Sequence, residues 1–269
     1  MATLHKHINF EAYSEHEMFF GGRQEVEEYR NAKLQNVQKN VNFIIELFNN
    51  KKINVLELAS GNSKFLYALQ NSSMLKSGSA IEISKSRHNF AEDWKSSLHA
   101  NNITNINANI IELDFDALPS YDLVYCVDLA YQLMTPVGGD IDTFLLQNIY
   151  NKLEKGGRLV LELDDHNRIM TNMMKGEARL WQEFDTPDPW RFMLWHCVDE
   201  AERRLRLKKT FIQRDLSRIS SSEVILKNYT RREASYMLKQ HNFKNIRIHD
   251  FWDTAGDLLE DEFIITGQK

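Results

Sequence analysis

The sequence predicts an α/β fold: a doubly wound, mostly parallel sheet flanked by helices, with a small antiparallel β subdomain inserted late in the chain. Three observations predict it. Apolar runs of strand length alternate with stretches of helical spacing as far as Leu163. The segment Val55 to Ser63 reads Val-Leu-Glu-Leu-Ala-Ser-Gly-Asn-Ser, which joins an apolar strand to a helix start through a turn of small residues. The stretch from residue 166 to 229 then abandons that alternation for several strand-like runs in succession.

The elements follow in order. Leu34, Val37, Val41, Ile44, Ile45 and Phe48 recur at helical spacing and predict an amphipathic helix running into strand one at Ile53 to Leu58. That strand carries an acidic residue, Glu57, just before Ala59-Ser60-Gly61-Asn62-Ser63, and a helix opens at Lys64-Phe65-Leu66. A small-residue turn at a helix N-terminus lets a ligand approach bare backbone. Ala80-Ile81-Glu82-Ile83 ends the second strand in another carboxylate, placed to accept both hydroxyls of a ribose. A dinucleotide fingerprint needs G-x-G-x-x-G, and only Gly61 of that pattern is present. Side chains in the turn crowd the route to a pyrophosphate, so a nucleoside without phosphates suits it better.

Tyr121-Asp122-Leu123-Val124 opens the fourth strand, which continues as Tyr125-Cys126-Val127-Asp128. Leu153 to Leu163 reads as a helix end, a Gly-Gly turn and a buried strand five. The insertion is expected to be helical from Met170 to about Phe184. It breaks at Thr186-Pro187-Asp188-Pro189 and forms strands at Phe192 to Val198, Arg204 to Ile212 and Glu223 to Tyr229. Period-two alternation in Arg204-Leu205-Arg206-Leu207 marks an antiparallel strand with one wet face. Thr230-Arg231-Arg232-Glu233 is a capping-box pattern that starts a helix reaching about His241. A turn at Asn242 to Asn245 leads into strand six, Ile246 to Trp252, and Glu262 to Thr266 forms a short further strand.

Composition bounds the function. At 269 residues and 42% hydrophobic, the chain builds one domain with room for an insertion. It has no apolar run of about 18 residues that would span a membrane, and its first residues lack a signal-peptide pattern. Cys126 and Cys197 are the two cysteines, and Cys126 falls in a buried strand, which fits a reducing cytoplasm. A net charge of −5 with mixed signs argues against a broad nucleic-acid surface.

Taken together, these motifs resemble those of class I S-adenosylmethionine (SAM) dependent methyltransferases. Motif I of that family is an acidic residue followed by G-x-G-x-G. Ala59, Gly61 and Ser63 stand where its glycines stand, with two of the three replaced by small residues. Asn109, twelve residues before Tyr121, stands where the family contacts the adenine amino group, as amide rather than the more usual Asp. Leu153 to Leu163 is similar to the family's Leu-Lys-Pro-Gly-Gly-x-Leu element. The resemblance covers roughly residues 40 to 168 and 229 to 269. It implies a Rossmann-like, seven-stranded sheet with the last strand antiparallel. It implies SAM as cofactor and S-adenosyl-L-homocysteine (SAH) as product. Glu57, Ala59, Gly61, Glu82, Ile83, Asn109, Ile110 and Val127 are then the cofactor-binding residues. Residues 1–50 become a helical lid, from which Tyr13 or Arg30 reaches the SAM carboxylate. Residues 51–168 form the SAM-binding core, 169–229 an insertion over the active site, and 230–269 complete the sheet.

Methyl transfer from a sulfonium is an in-line displacement that needs positioning and exclusion of water more than a fixed catalytic triad. Ligands of open α/β sheets bind beyond the carboxyl ends of the strands. The acceptor's neighbours are therefore sought among Asp128, Tyr131 and Gln132 after strand four, and Asp164, Asp165, His166 and Asn167 after strand five. His166 is the candidate general base, since imidazole titrates near neutral pH. Tyr131 could orient an amine or hydroxyl acceptor, and Asp128 could hold an ammonium. Trp181, Trp190 and Trp195 could wall a cationic or planar acceptor. Asp128, Asp164 and Asp165 raise a Mg²⁺ reading, but acidic residues at strand ends are common in this fold and no metal is expected. His5 and His7 have no matching second pair for zinc.

The expected function is methyl transfer to N or O of a small molecule. Protein or nucleic-acid acceptors are the alternative within the class. Val127-Asp128-Leu129-Ala130 departs from the Asn/Asp-Pro-Pro-Tyr/Phe motif of amino-directed DNA methyltransferases. A SAM-binding protein without methyl transfer would carry the same cofactor motifs. The insertion could instead be a structural or homodimer-forming hairpin.

Overall fold

The computed structural model describes residues 22–134, 140–165, 177–184, 188, 190–200, 204–214, 216, 219–250, 252 and 262–269. Two helices, α1 (Arg23–Asn36) and α2 (Gln38–Leu47), precede the sheet. Val41 and Ile44 of α2 are fully buried, the face that the helical spacing predicts. The core then alternates β1 (Ile53–Leu58), α3 (Lys64–Asn71), β2 (Leu75–Glu82), α4 (Lys85–Leu98), β3 (Ile103–Asn107) and β4 (Tyr121–Cys126). A short α5 (Ala130–Met134), α6 (Asp140–Lys152) and β5 (Leu153–Asp164) follow.

Beyond the core lie β6 (Glu177–Glu183), β7 (Trp190–Glu200), β8 (Arg204–Gln213) and β9 (Ile219–Lys227). The chain then returns through α7 (Arg231–Gln240), β10 (Lys244–His249) and β11 (Glu262–Gln268). Seven strands form the main sheet in the order β10-β11-β5-β4-β1-β2-β3, and β6 to β9 form a separate four-stranded sheet. β1 to β5 run parallel, whereas β11 runs antiparallel to both β5 and β10. This is the predicted Rossmann-like sheet with an antiparallel last strand and an inserted antiparallel sheet.

Burial on both faces explains the nearly continuous apolar runs of the central strands. One face packs Leu56, Val124, Leu161 and Phe263 beneath α6 and α7. The other packs Val55, Tyr125, Val160 and Ile264 beneath α2 and α3. Phe65 stacks on Tyr125 there, with ring centroids 3.8 Å apart. The capping box forms as predicted: Thr230 Oγ1 accepts from the Glu233 amide, and the Glu233 carboxylate accepts from the Thr230 amide.

Three local expectations are corrected. The helix expected over Met170 to Phe184 is strand β6 where it is described, pairing without a break from Glu177–Val198 to Glu183–Phe192. Glu-Ala-Arg-Leu-Trp-Gln-Glu has helix-favouring residues, but the edge of β7 supplies a full ladder that overrides local propensity. The Gly-Gly turn before strand five lies inside β5, where Gly156 has φ +85° and the pairing with β4 shifts register between Tyr121 and Leu123. A side chain at Gly157 would come within 2.9 Å of the Glu154 carbonyl and 3.1 Å of the Asp122 carbonyl, so the bulge needs glycine there. Strand six begins earlier than expected and ends at His249. No helix among the described residues is long and apolar enough to cross a membrane.

Candidate active site

The strand order reverses between β1 and β4, and their carboxyl ends open a crevice at that switch point. The turn after β1 forms its floor. Ala59, Gly61 and Ser63 all hold positive φ, at 50°, 58° and 59°. These are the three positions at which the resemblance places glycines. The turn therefore keeps a glycine-type path although two positions carry side chains, and the surrounding structure must hold them there. The Ser60 amide donates to the Ile81 carbonyl at 2.9 Å and the Ser63 amide to the Ser60 carbonyl at 2.9 Å, which ties the turn to β2 and closes it.

Glu82 organises the next wall. It is 7% exposed. Its Oε2 accepts from the Gly61 amide at 2.7 Å and its Oε1 from the Ser84 amide at 2.8 Å. Each carboxylate oxygen has lone-pair capacity beyond one such bond. Asn107 Nδ2 donates to the carbonyls of Glu82 and Ile83 at 2.8 and 3.1 Å, fixing that strand end. Asn109 caps its own turn, accepting through Oδ1 from the Ile111 amide at 3.2 Å.

A cavity of about 360 Å³ occupies the crevice. Ala59, Gly61, Glu82, Ile83, Asn109, Ile110 and Asp128, all predicted, line it. Unpredicted neighbours join them. Tyr29 and Lys33 come from α1, Lys64 from the first turn of α3 and Arg87 from α4. Phe184, Asp188, Phe211, Val224 and Leu226 come from the insertion and face Leu129, Leu133 and Met134 across the cavity. Asp188 Oδ2 lies 3.4 Å from Lys33 Nζ, an ion pair that joins the insertion to α1 at the cavity wall.

Other predicted residues fall elsewhere. Arg30 is buried away from the cavity, with Nη1 2.9 Å from Glu27 Oε1 and its guanidinium over Phe90 and Trp94. One turn of helix carries Tyr29 and Lys33 into the cavity instead. Tyr131 is fully buried and its phenol donates to Asp142 Oδ1 at 3.0 Å. Asp142 also accepts from Tyr229 at 2.6 Å and pairs with Lys227 at 2.6 Å, a cluster joining α5 and α6 to the return of the insertion. Gln132 works beside it, donating to the carbonyls of Asp164 and Lys227 and accepting from the Asp164 amide. Val127 packs into the apolar cluster with Tyr125 and Trp252. Trp190 packs on Phe211 inside the insertion. Tyr13 and His166 lie outside the described residues. Among the described residues no group of three His, Cys, Asp or Glu side chains is arranged to hold a metal ion.

Charge at the site is concentrated where β1 and β4 end. Asp128 and Leu129 both hold positive φ, at 56° and 60°, and turn the Asp128 carboxylate toward Lys64 at 3.2 Å. Lys64 holds Asp128 below the usual carboxylate range. A lysine at the start of a helix opposes the helix dipole and needs such an anionic partner. Behind this pair lies Glu57, whose carboxyl burial pushes up to about 8. Burial likewise pushes Glu162 on β5 up to about 8. Cys126, fully buried in β4, is a free thiol that burial pushes up.

No family model and no curated protein matches this sequence. Solved structures do match it. The chain has the fold of class I SAM-dependent methyltransferases. A SAM-dependent methyltransferase from Clostridium acetobutylicum superposes with a TM-score of 0.68 at 18% identity, over 86% of this chain and 91% of that one. The CcbJ methyltransferase from Streptomyces caelestis gives 0.69 at 13% identity, over 85% and 88%. SAM-bound CalS10, an amino pentose methyltransferase from Micromonospora echinaspora, gives 0.63 at 13% identity, over 93% and 99%. All three similarities extend over most of each chain.

Proposed function

We propose that this protein binds SAM at the β1–β2 end of the cavity and transfers its methyl group to N or O of a small molecule held against the insertion. The observation that carries this reading is Glu82. Its carboxylate bridges the glycine turn and the start of α4 at the edge of a single cavity. Both oxygens keep capacity for a pair of vicinal hydroxyls. Ile83 and Ile110 offer apolar surface for a planar base, and Asn109 offers polar atoms for its edge. The cavity is of the size that binds cofactor-sized ligands.

Bound SAM supplies a methyl group already activated by positively charged sulfur. The chain's own residues orient and desolvate. Asp128 stays ionised beside Lys64 and can orient an ammonium or hydroxyl acceptor by a charge-assisted hydrogen bond. Phe184, Phe211, Val224 and Leu226 exclude water from the acceptor end. Tyr131 acts at a distance, through the Asp142 cluster that anchors the return of the insertion. His166 remains the candidate base for an acceptor that must lose a proton.

The apolar side chains Phe184, Phe211, Val224 and Leu226 along the acceptor end favour a small molecule over a protein or nucleic-acid acceptor. The amino pentose specificity of CalS10 makes amines and sugars the first compounds to try. The test is calorimetric titration with SAM, followed by transfer of label from methyl-labelled SAM to a panel of amines, phenols, sugars and carboxylates. Saturable binding with label in product supports the proposal. Binding with no transfer to any small molecule, but transfer to a protein or nucleic-acid fraction, moves the acceptor to that class. Absence of SAM binding overturns the cofactor reading.

A further inference from the structure

Glu57 is a buried acid that the mechanism above does not use. It sits on β1 two residues before Ala59 and is 4% exposed. Its Oε2 is buried and has no hydrogen-bond partner among the described residues. A carboxylate left so incompletely solvated is costly, so the neutral acid is favoured. We propose that Glu57 is the residue by which the site distinguishes the sulfonium cofactor from its uncharged thioether product, releasing a proton as the positive charge arrives. This rests on the SAM reading above.

The charges around Glu57 come from every element packed against it. Burial raises its pKa to about 8, Lys64 on α3 opposes that rise, and Asp128 after β4 and Glu82 on β2 add to it. The Leu66 amide also favours ionisation. Tyr67, Tyr125 and Cys126 face Glu57 as well, and burial raises all three, so they stay neutral. Glu162 on β5 is a second acid raised by burial, with Asp128 and Glu262 adding to the rise and Lys64 opposing it. Lys33 and Arg87 act on Asp128. Among the described residues, Lys64 is the one cation that acts directly on Glu57, and it is already committed to Asp128 at 3.2 Å. Glu57 therefore lacks a counter-charge of its own, while Lys64 and Asp128 in front of it line the cavity.

A cationic ligand in that cavity favours the ionised carboxyl. The balance is simple: protonated Glu57 plus the sulfonium gives the carboxylate–sulfonium complex and one proton in water. After transfer the sulfur is neutral, Glu57 takes a proton back, and the product loses the counter-charge that held its precursor. SAM affinity should then rise with pH by up to about tenfold per unit below pH 8, with SAH affinity rising less. The sulfonium lowers the pKa of the ammonium group in SAM relative to SAH, so the titration of each free ligand is measured and subtracted before the two are compared.

The experiment is calorimetric titration of the full chain near pH 7 with SAM and with SAH. Two buffers of different ionisation enthalpy then count the protons released. The wild type should release roughly one proton with SAM and distinctly fewer with SAH. Glu57→Gln should abolish the difference, and Glu162→Gln should leave it intact. Equal release for both ligands, or a difference that survives Glu57→Gln or vanishes with Glu162→Gln, overturns the assignment. Should Glu57→Gln fail to fold, the wild-type ligand pair and Glu162→Gln still decide. Loss of all SAM binding by the wild type sinks the cofactor reading, whereas binding without a proton difference sinks this inference alone.

Discussion

Replacing Glu82 with Gln tests the cofactor site at its most constrained point. The two side chains have nearly the same shape, so packing is preserved. The carboxylate accepts from two backbone amides, Gly61 at 2.7 Å and Ser84 at 2.8 Å. A carboxamide has one acceptor oxygen, so its NH₂ group must face the other amide, donor against donor. One buried donor is then unsatisfied, which costs the fold about 1–3 kcal/mol. The ligand loses more. Hydrogen bonds to a charged acceptor contribute about 1.5–3 kcal/mol each, and a neutral amide keeps part of one of the two made to ribose. A net loss of about 2–4 kcal/mol corresponds to roughly 30- to 1,000-fold weaker SAM binding. Titration calorimetry measures that loss, and urea denaturation of the same samples measures the fold term separately. A variant that is destabilised as expected but binds SAM within about threefold of wild type would show that Glu82 holds the turn and not the ribose.

Three further outcomes follow from the same geometry. Asp142→Ala strands two phenols and Lys227, whose side chain is 25% exposed and so partly rehydrates. The loss should be about 3 kcal/mol, a fall in Tm of roughly 6–12 °C by scanning calorimetry, and a change below about 1 kcal/mol would deny the cluster its structural role. Gly61→Ala forces a side chain onto φ +58° with its Cβ 3.1 Å from the Arg87 guanidinium. It should destabilise the turn by about 1–2 kcal/mol and weaken SAM binding together, and wild-type behaviour in both assays would refute the strain argument. Glu57 and Glu162, both raised from 4.5 to about 8, bind protons in the folded state that the unfolded chain has lost between those values. Their stabilising contribution is complete below about pH 4.5 and is lost as pH rises toward 8. Tm should therefore fall from pH 5 to pH 8 by an amount that Glu57→Gln reduces, and a Tm that rises over that range would contradict both shifts.

Much of the cavity wall built by the turn after β1 and the end of β2 could be read in the chain because its elements are local. Strand, turn, helix and strand-end carboxylate lie within residues 53 to 83, and the capping box at Thr230 is written in four consecutive residues. The wall contributed by the insertion could not be read that way. Phe184 and Phe211 reach the cavity only because the β6–β9 sheet folds back over it, and no spacing in the sequence encodes that return. Tyr131 illustrates a related limit. Its position after β4 points to the ligand, but helix α5 turns its phenol to Asp142, a partner eleven residues on. Arg30 and Lys33 differ by less than one helical turn, and only packing on Phe90 and Trp94 decides which of them faces the cavity. Lys64 did leave a signal: a cation in the first turn of a helix works against the dipole, and so points to an acidic partner nearby.

The left-handed residues around the cavity have a consequence for engineering. Ala59, Ser63, Asp128 and Leu129 each hold a backbone that a side chain resists. Sites of this kind are reserves from which a designer can recover thermal stability. Glycine at Ala59 or Ser63 would relax the native state, although it also enlarges the freedom of the unfolded chain. At Asp128 the same exchange would remove the carboxylate beside Lys64. The turn after β1 is thus the place to seek heat tolerance in this protein, and the end of β4 is the place where seeking it would break the pair with Lys64.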